Sequence, residues 1–185
     1  MIQSEIQAIE NVYALLSRYW LRELDADTLF RLQQEPLKSA FQELGGTVPT
    51  ESIEDLAIEY CRLFVGPREQ LPPIQSVWKH AELESECAVS VREFANLIGY
   101  ESSSESMFDH LGIQLDMMSH VLRQLRQTEG AEPYQEIAGE FYRRHLVWPI
   151  EKFLPAITER ADLTFYSSLA RVTQQFLEAE LTAWR

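Results

Sequence analysis

EYCRLFVGPREQLPPIQSVW, Glu59 to Trp78, joins the end of one helix to the start of another across a proline-rich turn. Upstream of the turn, Ile53, Leu56, Tyr60, Leu63 and Phe64 recur at helical spacing and form one apolar stripe. Gly66-Pro67 ends that helix by supplying a flexible residue and removing an N–H. Leu71-Pro72-Pro73-Ile74 must then run extended, because each proline excludes the helical region for the residue before it. Ser76 is the expected cap of the next helix. A loop that is both stiff and apolar suits a fixed groove wall better than a mobile tether, although on physics alone a rigid helix connection is the stronger reading.

Working outward from this stretch, helical periodicity continues in both directions. Ser4 with Gln7 makes a capping-box pattern, and Ile6, Ile9, Tyr13, Leu16 and Trp20 step by three and four through a first core helix. Asp25 or Asp27 is expected to cap a short second helix through Leu29 and Leu32, and Pro36 to open a third. Gly45-Gly46 and Pro49 break the chain before the helix that enters the opening stretch. Downstream, one helix is predicted from Ser76 to about Ile98, with Val77, Ala81, Leu83, Ala88, Val91, Phe94 and Leu97 as its apolar set and Gly99 as its stop.

Ser102 with Glu105 predicts the start of a long helix ending near Thr128, with Met107, Leu111, Leu115, Met118, Leu122 and Leu125 as its core stripe. At about 100° per residue, Asp109 points away from that stripe, His110 lies at its edge, and Asp109, Asp116 and His120 read as a solvated face. Thr128 to Pro133 is the best linker. Beyond it, Tyr134, Ile137, Phe141, His145 and Trp148 share a helix side, and Leu169, Val172 and Phe176 mark the last helix. No stretch shows sustained period-two alternation. The expectation is an all-α bundle of roughly seven to nine helices. It forms a single domain over 1–185, with a hinge at 128–133 as the place that would separate an N-terminal portion, residues 1–128, from a helical C-terminal portion, residues 134–185.

Composition narrows the function. The chain has 185 residues, 45% of them hydrophobic, enough for a real core. With 29 acidic against 16 basic residues, its formal charge of −13 argues against a nucleic-acid backbone as partner and favours a cationic one. Cys61 and Cys87 lie on separate predicted helices without metal-ligand spacing, so neither a zinc site nor a disulfide is indicated, and a reducing cytosol is expected. The start, MIQSEIQAIENVYALL, has neither the basic opening nor the cleavage site of a signal peptide. No apolar run is long enough to span a membrane.

The polar residues offer little catalysis. Asp109 and His110 are adjacent, so on a helix their side chains diverge and do not form a dyad. Asp116 and His120 stand at i, i+4, but two ligands do not make a metal site. A G-x-x-x-x-G-K-[ST] phosphate loop and a G-x-S-x-G nucleophile turn are both absent from the sequence. Arg143-Arg144 lies near a helix end and reads as dipole compensation rather than an export signal. The chain is not expected to be an enzyme, and no cofactor or metal is expected.

Two segments together, EYCRLFVGP running on to PPIQSVW, and DHLGIQLDMM from Asp109, resemble the paired signatures of the TorD/DmsD family of chaperones for molybdenum-containing redox enzymes, which is related to NarJ. HLVW with Pro149, then Phe153, Pro155 and FYSSLA, are similar to that family's C-terminal third. The resemblance implies a cytoplasmic, non-catalytic helical chaperone. Such a protein binds the twin-arginine signal peptide, and often the body, of a molybdopterin oxidoreductase precursor of the DMSO/TMAO reductase kind, holding it for cofactor insertion before Tat export. Separately from the resemblance, the linker from Gly130 to Pro133 would permit exchange of the last helices, so a monomer or a domain-swapped dimer is expected.

On this pattern Glu59, Tyr60, Leu63, Phe64, Pro72, Pro73, Ser76 and Trp78 match the first signature, and Asp109 and His110, with Gly112, Leu115 and Met118, match the second. Residues of these segments line the implied peptide groove, with Glu59 and Asp109 as the carboxylates for a basic leader. Ile74 replaces a common aromatic residue and Gln114 a common glutamate. The alternatives are a NarJ-like chaperone for a client that stays in the cytoplasm, a nucleotide (GTP)-binding protein, against which the missing phosphate loop speaks, and a general helical adaptor.

Overall fold

The computed structural model describes residues 3–83, 85–101, 107–128 and 132–184. Among them every regular element is helical: α1 (Gln3–Leu21), α2 (Ala26–Leu32), α3 (Leu37–Glu43), α4 (Ile53–Tyr60, continuing as a π turn over Cys61–Val65), α5 (Gln75–His80), α6 (Glu86–Leu97), α7 (Leu111–Gln127), α8 (Glu132–His145), α9 (a π turn over Pro149–Phe153 running into Leu154–Arg160) and α10 (Thr164–Ala183). The all-α expectation holds, with several of these segments only one or two turns long. α1 packs most extensively on α7, α7 also on α8, and α10 on α9.

Trp20 shows how the layers are tied together. It is buried on α1, its ring lies 6.0 Å from Phe64 of the first π turn and 5.3 Å from Phe153 of the second, and its Nε1–H donates to Thr173 Oγ1 on α10 at 2.9 Å. A buried indole with its N–H satisfied contributes area without leaving an orphaned donor. Further back along α1, buried Glu10 accepts from Arg123 at 2.9 Å and Arg126 at 3.1 Å, which clamps α1 to α7. Gly112 makes the α1–α7 approach feasible: a Cβ there would lie 2.7 Å from Leu21 Cγ and 2.9 Å from Leu21 N.

Several predicted boundaries stand. Asp25 caps α2 by accepting from Thr28 N at 2.7 Å, Pro36 takes the N-cap position of α3, and Gly99, with φ +64°, follows the end of α6 in the left-handed region that favours glycine. Other boundaries move. Ser4 lies inside α1, not before it. The single helix expected from Ser76 to Ile98 is two: Ala81 takes φ +58°, α5 ends, and Ser85 restarts the chain by accepting from Cys87 N at 3.1 Å. Leu83, expected in the core, lies in this break and is exposed, and Leu97, at the end of α6, is exposed as well. The Ser102/Glu105 capping box and the Gly130 position of the linker lie outside the described residues. The helix they were to open begins only at Leu111, with His110 as its cap, and Met107 precedes it.

Candidate functional site

The two quoted segments meet through reciprocal helix capping. Ile74 and His110 form an antiparallel bridge, with Gln75 N donating to Asp109 O at 3.0 Å and Leu111 N to Pro73 O at 2.8 Å. Asp109 Oδ2 accepts from Ser76 N at 2.7 Å and from Ser76 Oγ in a very short bond, and Ser85 Oγ donates to Ser76 Oγ at 2.8 Å. Asp109 therefore caps α5 from a distant point in the chain, the role predicted for Ser76 itself. His110 caps α7 with its own ring: Nδ1 accepts from Gly112 N at 3.0 Å. Burial pushes the His110 imidazole down to about 4, so it is neutral at pH 7, as an acceptor nitrogen requires.

This geometry corrects the solvated reading of Asp109. The side chain is fully buried, and it precedes the helix instead of lying on its outer face. Its Oδ1 has no partner among the described residues. Asp116 and His120 are also engaged: Tyr100 Oη donates to Asp116 at 2.6 Å, and His120 Nε2 lies 3.2 Å from Ile98 O.

Glu59 is buried as well. Arg62 Nε and Nη2 reach its two oxygens at 2.8 and 2.9 Å, and Asp162 N and Leu163 N donate to Oε1 at 2.6 and 3.3 Å. Burial alone would raise its pKa, but Arg62 and those two amides outweigh it and hold the carboxyl below its ordinary value. Glu59 thus ties α4 to the turn before α10, and neither carboxylate expected to flank the groove faces outward.

Of the other site candidates, Leu63, Phe64, Pro73 and Ser76 are buried, whereas Tyr60, Pro72, Trp78 and His110 are half-buried. Leu63 O, whose α-helical partner would be Pro67 with no N–H to give, accepts from Leu71 N at 2.6 Å, which folds the proline loop back against its own helix. Tyr60 packs on Phe64 with the rings tilted by 60° and centroids 5.1 Å apart. Trp78 donates to Pro72 O at 2.8 Å and packs edge-on to Phe153 at 5.6 Å. π turns recur at functional positions in helices, and two of them frame this wall.

Behind the wall lies a buried polar network that the sequence did not reveal. Gln114 Nε2 donates to Gln75 Oε1 at 2.7 Å, Trp148 Nε1 to Gln114 Oε1 at 2.9 Å, and Gln75 Nε2 to Arg144 O at 3.0 Å. His145 Nδ1 lies 2.9 Å from Gln75 Oε1, and its Nε2 lies 3.0 Å from Ser90 Oγ. Since Gln75 Oε1 only accepts, His145 carries its proton on Nδ1 and takes the Ser90 hydroxyl proton on Nε2. The glutamine at 114, in place of a glutamate, supplies an N–H that a carboxylate lacks. The periodic spacing of Gln75, Gln114 and His145 within apolar stripes was the available signal.

A second surface also escaped the sequence reading. α1, α2 and α3 enclose a mainly apolar groove of about 610 Å³, lined by Val12, Leu15, Tyr19, Leu37 and Leu44 with Arg18 and Arg31 at its edge. It holds none of the signature residues. Among the described residues no group of three or more His, Cys, Asp or Glu is placed to hold a metal, and no helix is long and apolar enough to cross a membrane.

Comparison with known proteins bears on the whole arrangement. The family described as nitrate reductase delta subunit matches residues 27–159. The chain belongs to this family. The family groups the TorD- and NarJ-type chaperones, and similar curated proteins bear the former name. Chaperone protein TorD of Escherichia coli O81 (strain ED1a) is 27% identical over 94% of this chain and 95% of its own length. Chaperone protein TorD of Shigella dysenteriae serotype 1 is also 27% identical over the same shares. The fold is similar to that of a putative redox enzyme maturation protein from Archaeoglobus fulgidus, with TM-score 0.61, 19% identity, and 92% of this chain and 93% of that one covered. Within the nitrate reductase delta subunit family, then, the two signature segments of this chain are one interlocked structural unit.

Proposed function

We propose that this chain is a cytoplasmic maturation chaperone that binds the twin-arginine signal peptide of a molybdoenzyme precursor along the wall formed by Tyr60, Pro72, Trp78 and His110. The observation that carries this reading is the reciprocal capping of α5 and α7. Asp109 caps α5 and Pro73 O takes the first amide of α7, which makes the two signatures one surface and leaves these four as the matched site residues that keep accessible area. Glu59, Leu63, Phe64, Pro73, Ser76 and Asp109 act behind that surface, by holding it.

A neutral His110 does not repel an arginine, aromatic faces of Tyr60 and Trp78 accept guanidinium groups, and the net charge of −13 draws a basic leader toward the chain. Affinity on the order of micromolar is expected, weakened by salt.

Calorimetric titration with a synthetic twin-arginine leader of a candidate precursor tests the reading. Binding at low salt that falls with Trp78→Ala and His110→Ala supports it, and no heat at low salt with correctly folded protein ends it. The family's description as a nitrate reductase subunit favours one second reading, a client without a leader. In that case the client's folded body binds and its N-terminal peptide does not.

A further inference from the structure

The face that carries Trp78 also holds a cleft of different chemistry. Trp78 and Lys79 of α5 and Trp148, Glu151 and Lys152 at the start of α9 enclose about 200 Å³. That is more than the roughly 150 Å³ that accommodates a benzene-sized group. It is less than the roughly 300 Å³ at which pockets for larger ligands begin. The occupant is therefore one side chain or its equivalent.

The walls limit what that side chain can be. Both indole N–H groups are already used, by Pro72 O and by Gln114 Oε1, so the tryptophans offer faces and edges only. Phe153, buried behind them at 5.6 Å from each indole, backs the two rings. The polar groups left are Lys79, Lys152 and Glu151. The whole chain has three lysines, and two of them converge here on a protein of net charge −13. Neither is in an ion pair among the described residues, whereas nearby Arg144 is paired with Glu140 at 2.5 Å. Glu151 lines the cleft without closing on either ammonium within ion-pair distance, which leaves the cleft locally cationic.

We infer that this cleft takes an aspartate or glutamate side chain of the client polypeptide, next to an apolar residue that lies on the indoles. The inference rests on the reading of this face as a client-binding surface and adds a second, oppositely charged contact to it. The carboxylate would sit between the two lysine ammoniums with its stem against Trp78 and Trp148, and the apolar neighbour would lie on the indole edges at the mouth of the cleft. A twin-arginine segment does not suit this cleft, because two unpaired cations repel it. The leader and the acidic segment therefore occupy neighbouring places, and the cleft sets the direction in which the client lies.

The test uses the full-length, nitrogen-15-labelled protein and follows the indole N–H signals of Trp78 and Trp148, assigned with Trp78→Phe and Trp148→Phe. The probes are acetyl-Phe-Asp-Phe-amide, its Asn counterpart, and inorganic phosphate. The aspartyl peptide is expected to shift both signals, to bind about tenfold more tightly than the asparaginyl peptide, and to lose about tenfold in affinity in the Lys79→Gln/Lys152→Gln protein. Equal binding of the two peptides, indifference to the lysine changes, or reproduction of the shifts by phosphate at the same concentration overturns the inference. The twin-arginine leader, titrated in parallel, separates this result from the broader reading. Leader binding that persists in the wild-type protein while the aspartyl peptide fails to bind it removes the cleft proposal alone. Leader binding absent from the wild-type protein removes the signal-peptide reading instead.

Discussion

Asp109 Oδ2 accepts the backbone N–H of Ser76 at 2.7 Å and the Ser76 hydroxyl as well, across thirty-three positions of sequence. Buried helix caps of this kind stabilise by about 1–2 kcal/mol, and an orphaned buried donor adds about 1–3 kcal/mol of cost. Asp109→Ala is accordingly expected to lower stability by about 2–4 kcal/mol and to speed hydrogen exchange at the Ser76 amide. Urea denaturation and exchange measured together check this, and an unchanged midpoint with unchanged protection contradicts it. Loss of peptide binding in this variant reports on the wall as a whole and does not identify a contact.

Acid should weaken the fold through two imidazoles. Burial pushes both His110 and His145 down to about 4, with Lys79 and Arg144 adding to the effect at His145. An unfolded histidine titrates near about 6.5, so between the two values the unfolded chain binds protons that the folded chain does not. The contribution is present above about pH 6.5 and is lost as pH falls toward about 4, at most on the order of 3 kcal/mol for each ring. Urea midpoints across that range should fall with acid, and a flat profile would count against the neutral, buried assignment.

Glu59→Gln keeps the shape of the side chain and removes its charge. Arg62 and the Asp162 and Leu163 amides then face a weaker acceptor. A loss of about 1–3 kcal/mol is expected. It should be accompanied by looser attachment of the α9–α10 turn, read as faster exchange at the Asp162 amide. Wild-type stability in this variant would show that the carboxylate is dispensable to the fold.

Gly112→Ala places a methyl group 2.7 Å from Leu21 Cγ and 2.9 Å from Leu21 N. Backbone cannot yield as a flexible side-chain end does, so α1 and α7 must separate, at about 1–3 kcal/mol. For a chain of this size, that corresponds to a fall in Tm of roughly 2–4 °C for each kcal/mol. Differential scanning calorimetry decides, and an unchanged Tm would mean that the approach is less tight than described.

Sequence patterning reached those features that are local. The stripe from Leu56 to Phe64, the stop at Gly66, the cap at Asp25 and the turn at Gly99 each depend on residues within a few positions of one another, and each appears as expected. What periodicity missed depends on partners far along the chain. Asp109 looked like a polar residue on a helix exterior because its acceptor role is fulfilled at Ser76, and Glu59 looked available because Asp162 and Leu163 lie a hundred residues away. The break at Ala81 carries neither glycine nor proline, so no local signal announces it. The resemblance assigned both segments to one site, and the structure brings them side by side, but neither periodicity nor resemblance distinguished the buried braces from the surface side chains.

The cap that Asp109 provides also sets an order of events on the ribosome. A nascent chain that has not yet reached residue 109 contains the entire first signature, Glu59 to Trp78, yet leaves the Ser76 N–H without its acceptor and Pro73 O without the Leu111 amide. The surface that the two segments share is therefore completed only once Leu111 has been made and has joined Pro73, and no shorter nascent chain holds it in finished form.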